Sequence, residues 1–177
     1  MKLIKWFGAA VTGVAVASAA FAQEQDSSTN RVAAKTDWSV FVDESPKECW
    51  SVSTPKETVN TRNGNVVAVN RGQILLMVSF RPSEQINGQV AFTGGYPFAG
   101  GSTVNMNIGG TEFELFTDGE WAWPASAQDD AKIVTAMKRG ANAVVSARSS
   151  RGTQTKDTFS LLGFTAALED AEGRCGG

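Results

Sequence analysis

Bulky apolar residues alternate with small or polar residues in short stretches along most of the chain after residue 36. Residues 38–42 and 50–53 show this period of two, which is typical of strands with one buried face. A continuous apolar run at residues 74–78 indicates a strand covered on both faces, so we place it centrally in a sheet. Further strands are predicted over residues 104–108, 111–116, 144–147 and 158–161.

Pairs of residues that favour tight turns separate these strands. The positive φ angles that two-residue hairpins need are available at Asn63-Gly64, Asn87-Gly88, Gly109-Gly110 and Asp118-Gly119. Several short strands joined in this way predict an antiparallel sandwich or barrel.

Two helices interrupt the pattern of strands. Ser126 begins a Ser-x-x-Asp capping box, apolar residues follow at helical spacing, and Gly140 comes after the last turn. A second apolar stripe with helical spacing covers residues 164–172. We therefore predict a mainly β fold with one or two short α-helices.

The first residues have the features of a secretory signal. Lys2 and Lys5 precede an apolar stretch at residues 6–17, and Ala20-Phe21-Ala22 fits the cleavage pattern, so residues 1–22 are predicted to be removed. The alternative, an uncleaved membrane anchor, is disfavoured because the stretch is short and rich in Ala and Gly. We expect export to the periplasm, outer envelope or medium without a transmembrane anchor, a flexible polar lead-in at residues 23–36 and one folded domain at residues 37–177.

Composition narrows the classes of function. The chain has 16 basic and 18 acidic residues without a basic stripe, so we do not expect a nucleic-acid partner. It contains no histidine, which excludes Ser-His-Asp and Cys-His nucleophile systems and histidine-based zinc sites.

Carboxylate pairs are the remaining route to acid–base chemistry. Glu112 and Glu114 share one face of a predicted strand, and Asp118 and Glu120 flank the next turn. A glycosidase would need such a pair across a cleft, but alternation with apolar residues favours a solvated face. The chain contains no Asp-x-Asp-x-Asp-Gly loop of the kind that binds calcium, so we expect no calcium site. We predict a protein that is not an enzyme and has no cofactor and no metal.

The two cysteines of an exported chain are most simply one disulfide, between Cys49 and Cys175. Free thiols or a redox pair are the alternative, which the absence of a Cys-x-x-Cys spacing disfavours.

Aromatic residues provide the first candidate binding surface. Trp121 and Trp123 lie on one face of a predicted strand, and Tyr96 and Phe98 lie in a glycine-rich segment. Exposed together, they would form a platform for a glycan or peptide. The alternative, which we favour for the tryptophans, is that they fill the core. The flanking glycines indicate a loop, so we expect Tyr96 and Phe98 to be more exposed.

Basic residues provide the second candidate surface. Arg148 and Arg151 lie at a predicted hairpin tip, where they would meet an anionic surface such as lipopolysaccharide or the acidic patch of a partner protein. The alternative, which we favour, is a solvated loop with charges that guard the strand ends.

The order of several motifs resembles the invasion-associated locus B family of alphaproteobacteria. These motifs are Trp-Ser-Val-Phe, Cys49-Trp50, Gly95-Tyr96-Pro97-Phe98, Gly-Gly-x-x-Phe and the Gly-Phe-Thr-Ala-Ala-Leu segment before Cys175. The resemblance covers residues 38–175 and implies an exported, immunoglobulin-like β-sandwich in the periplasm or envelope. In pathogenic relatives the family is linked to entry into host cells such as erythrocytes. The resemblance implies no active site.

These observations together predict a non-enzymatic interaction protein of the cell envelope, which binds another, unidentified envelope or surface protein through its loops. The alternative is a periplasmic module that binds a glycan or small ligand through exposed aromatic residues.

Overall fold

The computed structural model describes residues 30–175, so the predicted signal peptide and its cleavage site lie outside the described residues. Within this range the chain forms twelve β-strands and two α-helices. The strands are β1 Arg31–Lys35, β2 Trp38–Glu44, β3 Lys47–Ser53, β4 Glu57–Arg62, β5 Asn65–Val66, β6 Leu75–Arg81, β7 Ile86–Thr93, β8 Thr103–Ile108, β9 Thr111–Asp118, β10 Trp121–Trp123, β11 Asn142–Arg148 and β12 Gln154–Ser160. The helices are α1 Ala127–Arg139 and α2 Phe164–Cys175.

The strands hydrogen-bond in one antiparallel sheet with the order β1-β2-β3-β6-β7-β10-β9-β8-β11-β12-β4-β5. Neighbouring strands are about 4.8 Å apart, so a flat sheet would separate β7 and β12 by roughly 24 Å. The rings of Phe92 on β7 and Phe159 on β12 instead lie 6.2 Å apart, perpendicular to each other. The sheet therefore folds over itself and encloses a core between its two halves.

The core is built from the inward positions of the strands and from both helices. Trp38 is buried against Phe164 of α2, with ring centroids 4.8 Å apart, and its indole N–H donates to the Ser160 carbonyl at 2.9 Å. On α1, Ile133 and Met137 are buried. Half-buried β6 lies between β3 and β7, which confirms the central position predicted from its apolar run.

The disulfide fastens α2 to the sheet. Cys49 and Cys175 are bonded, with their Cα atoms 5.9 Å apart, and both are buried. The predicted pairing is confirmed. A bond that closes a loop of 126 residues is expected to stabilise the fold by about 4–5 kcal/mol in the chain-entropy model.

Both helices begin where the sequence predicts. The Ser126 hydroxyl accepts a hydrogen bond from the Asp129 amide, and Gly140 follows the last residue of α1. The mainly β antiparallel architecture with two helices and one disulfide is thus confirmed. The immunoglobulin-like arrangement stays a prediction.

Two local predictions are wrong. The lead-in was predicted to be flexible up to residue 36, but residues 31–35 form β1. This strand is ordered because it pairs with β2 and is covered by α2. Asn87-Gly88 lies inside β7 beside an irregularity in its pairing with β6. The turn comes earlier, in a 3₁₀ turn at Pro82–Glu84 that ends at Gln85 with φ of 58°. No helix within residues 30–175 is long and apolar enough to cross a membrane.

Candidate functional site

Two segments meet at one end of the sheet. Residues 94–102 follow β7, and residues 149–153 form the hairpin tip between β11 and β12. The Ser150 amide donates to the Pro97 carbonyl and the Ala99 amide donates to the Arg148 carbonyl, both at 2.9 Å. Backbone hydrogen bonds therefore hold the glycine-rich segment and the hairpin tip together as one unit.

A depression of about 450 Å³ lies beside this unit, and we call it the hairpin cleft. Its lining includes Arg62, Arg71, Tyr96, Glu120, Ser150 and Arg151. Gly95 approaches Gly72 so closely that a Cβ atom on Gly95 would lie 2.6 Å from the Gly72 carbonyl oxygen. Gly95 also has φ of 71°, so a residue without a side chain is needed at this point of the wall.

A buried ion pair lies beneath the hairpin cleft. The Arg71 guanidinium donates to both carboxylate oxygens of Asp157, at 2.8 and 2.6 Å, and to the Gly94 carbonyl at 2.8 Å. The two side chains are 5% and 0% exposed. Because both carboxylate oxygens and the Gly94 carbonyl are held by charge-assisted hydrogen bonds, this pair fixes β12 and the segments around residues 71 and 94 in one arrangement.

Tyr96 forms one wall of the hairpin cleft. The Arg71 guanidinium lies over its ring, 5.0 Å from the centroid, and its hydroxyl is hydrogen-bonded to Thr155. Burial raises the pKa of the Tyr96 phenol, against an opposing effect of the Thr155 hydrogen bond. The phenol is therefore protonated at neutral pH and acts as a fixed, uncharged wall.

The rim of the hairpin cleft is cationic. Arg62 donates to the Thr153 hydroxyl at 2.8 Å, and Arg151 is exposed. Neither makes an ion pair with any acid among residues 30–175. Glu120 is the one carboxylate that lines this depression in the described part of the chain.

Phe98 does not belong to the exposed surface, so its predicted exposure is wrong. It is 7% exposed and packs on Phe92 and Tyr96, with ring centroids 6.1 and 5.3 Å apart. The cause is an isolated bridge between Phe98 and Ser149, which makes this residue part of the sheet and turns its ring inward.

The expectation of core filling is wrong for the two tryptophans. Trp121 and Trp123 flank buried Ala122, so they point to the opposite, outer face of the sheet, where both are partly exposed. Their rings are stacked, with centroids 6.4 Å apart and planes 23° from parallel. Trp123 is the cross-strand partner of Phe116, which is 51% exposed.

A second depression of about 460 Å³ lies on the outer face of β8, β11, β12 and β4, and we call it the outer groove. Its lining includes Thr103, Asn105, Ser146, Arg148, Gln154 and Lys156. The structure therefore separates the two arginines of the predicted hairpin surface, because Arg148 lines the outer groove and Arg151 lines the hairpin cleft.

The candidate acids do not face each other across a cleft. Glu112, Glu114, Asp118 and Glu120 are all exposed. Among residues 30–175, no three acidic or cysteine side chains are grouped so that they would hold a metal ion.

Sequence reasoning missed Arg71 and Asp157, which support the hairpin cleft. Asp157 shares the inward face of β12 with buried Thr155 and Phe159, so an acid at a core position was a usable signal. Its partner was not visible, because Arg71 is 86 residues away and lies outside any regular element.

Comparisons with known proteins agree with this architecture. A family model described as invasion associated locus B (IalB) protein matches residues 38–172. The fold is similar to a crystal structure of invasion associated protein B from Bartonella henselae, at 16% identity and a TM-score of 0.53, over 80% of this chain and 95% of that one. At this identity the likeness concerns the fold. A search of the curated proteins found no match. Because the family model covers most of the chain, the protein belongs to the invasion associated locus B family.

Proposed function

We propose that the protein is an exported, non-catalytic binding protein of the cell envelope, and that the hairpin cleft docks a partner protein. The observation that carries the proposal is the convergence of Tyr96, Arg62 and Arg151 on one depression with a rigid base. Partner binding favours such pre-organisation, since ordering loops upon binding costs free energy.

The charge of the rim points to an acidic partner surface. Arg62 and Arg151 lack acidic partners within the described residues, so a carboxylate of another protein would pair with them without breaking an existing ion pair. Tyr96 and Pro97 add an aromatic and an apolar contact beside these charges. Interfaces frequently use this combination of aromatic residues and arginine.

Export and non-catalytic action are also part of the proposal. Export is supported by the signal-like residues 1–22, and binding rather than catalysis is supported by the exposed, dispersed acids. Any contribution to host-cell association would follow from partner binding, in line with the invasion-associated name of the family.

The test is affinity capture from the envelope of the producing cell. The cleft variant carries Arg62→Gln and Arg151→Gln, and the matched control carries Lys138→Gln and Arg139→Gln in the last turn of α1, so both lose two exposed cations. We expect the cleft variant to recover about tenfold less of a partner that the wild type and the control both retain. Equal recovery by both folded variants would reject the hairpin cleft as the docking site.

A further inference from the structure

We propose that the outer groove is a binding site for an acidic oligosaccharide, with its carboxylate held by Arg148 and Lys156. This site shares Thr155 alone with the lining of the hairpin cleft, and the inference does not depend on the docking of a partner protein.

The polar lining of the outer groove suits a sugar. Asn105, Ser146 and Lys156 are direct cross-strand partners on three adjacent strands, so their side chains form one row across the floor. Gln154, the cross-strand partner of Arg148, and Thr103 extend the lining beyond this row. Amide and hydroxyl groups both donate and accept hydrogen bonds, as the hydroxyls of a saccharide require.

The charge of the outer groove selects an acidic sugar. Arg148 and Lys156 are exposed, and neither makes an ion pair with an acid among residues 30–175. None of the residues that line the groove is acidic. Glu114 borders the groove beside Asn105, and it accepts a hydrogen bond from the Thr103 hydroxyl at 2.9 Å. The carboxylate of the ligand is therefore expected at Arg148 and Lys156, away from Glu114.

Aromatic residues continue the outer groove along the same face. Thr103 is the cross-strand partner of Phe116, and Phe116 is the partner of Trp123. These three residues lie on consecutive strands of the sheet and so span roughly 10 Å. Exposed Phe116 and the stacked Trp123 offer flat apolar faces on which the C–H face of a sugar ring packs. A chain of a few sugar units would reach from the cations to the aromatic residues.

The experiment titrates the folded protein with 3′-sialyllactose and tetragalacturonate, and with lactose and methyl-esterified tetragalacturonate as their neutral counterparts. Binding is followed by calorimetry and tryptophan fluorescence. We expect at least one acidic probe to bind about tenfold or more tightly than its neutral counterpart, because charge-assisted hydrogen bonds are stronger than neutral ones. Comparison of the two acidic probes distinguishes a sialylated glycan from a uronic-acid chain.

Two pairs of substitutions locate the site. Arg148→Gln with Lys156→Gln is expected to weaken binding of the acidic probe about tenfold, whereas Lys138→Gln with Arg139→Gln is expected to leave it unchanged. Phe116→Ser is expected to weaken binding of the acidic probe as well. Equal losses in both double variants, equal binding of acidic and neutral probes, or no binding of any probe would each overturn the proposal. The capture experiment with Arg62 and Arg151 variants is scored separately, so failure of one proposal leaves the other standing.

Discussion

The hairpin cleft and the outer groove are similar in size and both contain arginine, yet they are built differently. The base of the hairpin cleft depends on a buried contact between Arg71 and Asp157, which are 86 residues apart. The outer groove is formed by side chains at neighbouring positions of regularly paired strands. Beneath the hairpin cleft a buried charged pair is part of what holds the fold together, whereas the cations of the outer groove are exposed to solvent.

Arg71 beneath the hairpin cleft and Arg148 in the outer groove therefore have opposite roles. Arg71 has its charge neutralised and its donors occupied, so it positions the backbone and Tyr96. Arg148 is exposed and has no acidic partner within residues 30–175, so it contributes little to the stability of the fold. Substitutions at the two arginines should separate stability from binding.

The largest effect is expected for Asp157→Asn, which leaves the Arg71 guanidinium buried without a counter-charge. Removal of one partner of a buried ion pair costs about 3–5 kcal/mol of the free energy of unfolding. Urea denaturation followed by tryptophan fluorescence measures the change. The adjacent substitution Lys156→Gln is the control, and we expect it to change stability by less than about 0.5 kcal/mol because Lys156 is exposed. Similar losses in both variants would contradict the difference between the two regions.

The next effect concerns two adjacent residues of the glycine-rich segment. Phe98→Ala is expected to cost about 3 kcal/mol, since the ring is 7% exposed and packs on Phe92. Pro97→Ala is expected to cost less than about 1 kcal/mol, since Pro97 is exposed.

Thermal and urea unfolding of both variants measure this contrast. If Phe98→Ala were as stable as Pro97→Ala, Phe98 would belong to the binding surface of the hairpin cleft, as the flanking glycines first indicated, and not to the core.

The predictable part of the fold is its local part. Alternation and turn residues located the strands on both sides of Gly109-Gly110, and capping residues located α1. The turn predicted at Asn87-Gly88 was wrong because the chain already reverses at Gln85, which has a left-handed conformation. This earlier turn is the one that fits the pairing of β6 with β7. Local propensity carries no information on such a competition between two possible turns.

The candidate site was less predictable, since its members meet only in the folded chain. Tyr96 and Arg151 were singled out and do line one depression. Their neighbour Phe98 was assigned to the exposed surface because the flanking glycines indicate a loop. They do not reveal the isolated bridge to Ser149, which turns the Phe98 ring into the core. Trp121 and Trp123 were assigned to the core because tryptophan is usually buried. In the structure Ala122 takes the inward position, so its two neighbours lie on the outer face of the sheet.

The ion pair between Lys56 and partly buried Asp37 is expected to have the smallest effect on stability, and this effect depends on pH. The Lys56 ammonium holds the pKa of Asp37 below its ordinary value of 3.8, with the Ser160 hydrogen bond acting in the same direction. A carboxyl group with a lowered pKa in the folded state stabilises the fold above its unfolded pKa, and this contribution is lost as the pH falls through the folded pKa. We therefore expect Asp37→Asn to destabilise the protein slightly at pH 7 and to have no effect in strong acid.

Asp130 is expected to behave in the opposite way. Burial of its carboxyl group raises its pKa despite a 2.8 Å hydrogen bond from the Val90 amide, so its ionised form costs free energy in the folded protein at neutral pH. In Asp130→Asn the amide oxygen still accepts the hydrogen bond from Val90, while the buried charge is removed. The substitution should therefore raise the midpoint of urea unfolding slightly at pH 7. This gain should disappear below the ordinary pKa of aspartate. Unfolding curves of both variants between pH 3 and pH 7 test the two signs together, and a shift of the same sign at pH 7 would refute the assignment for one of them.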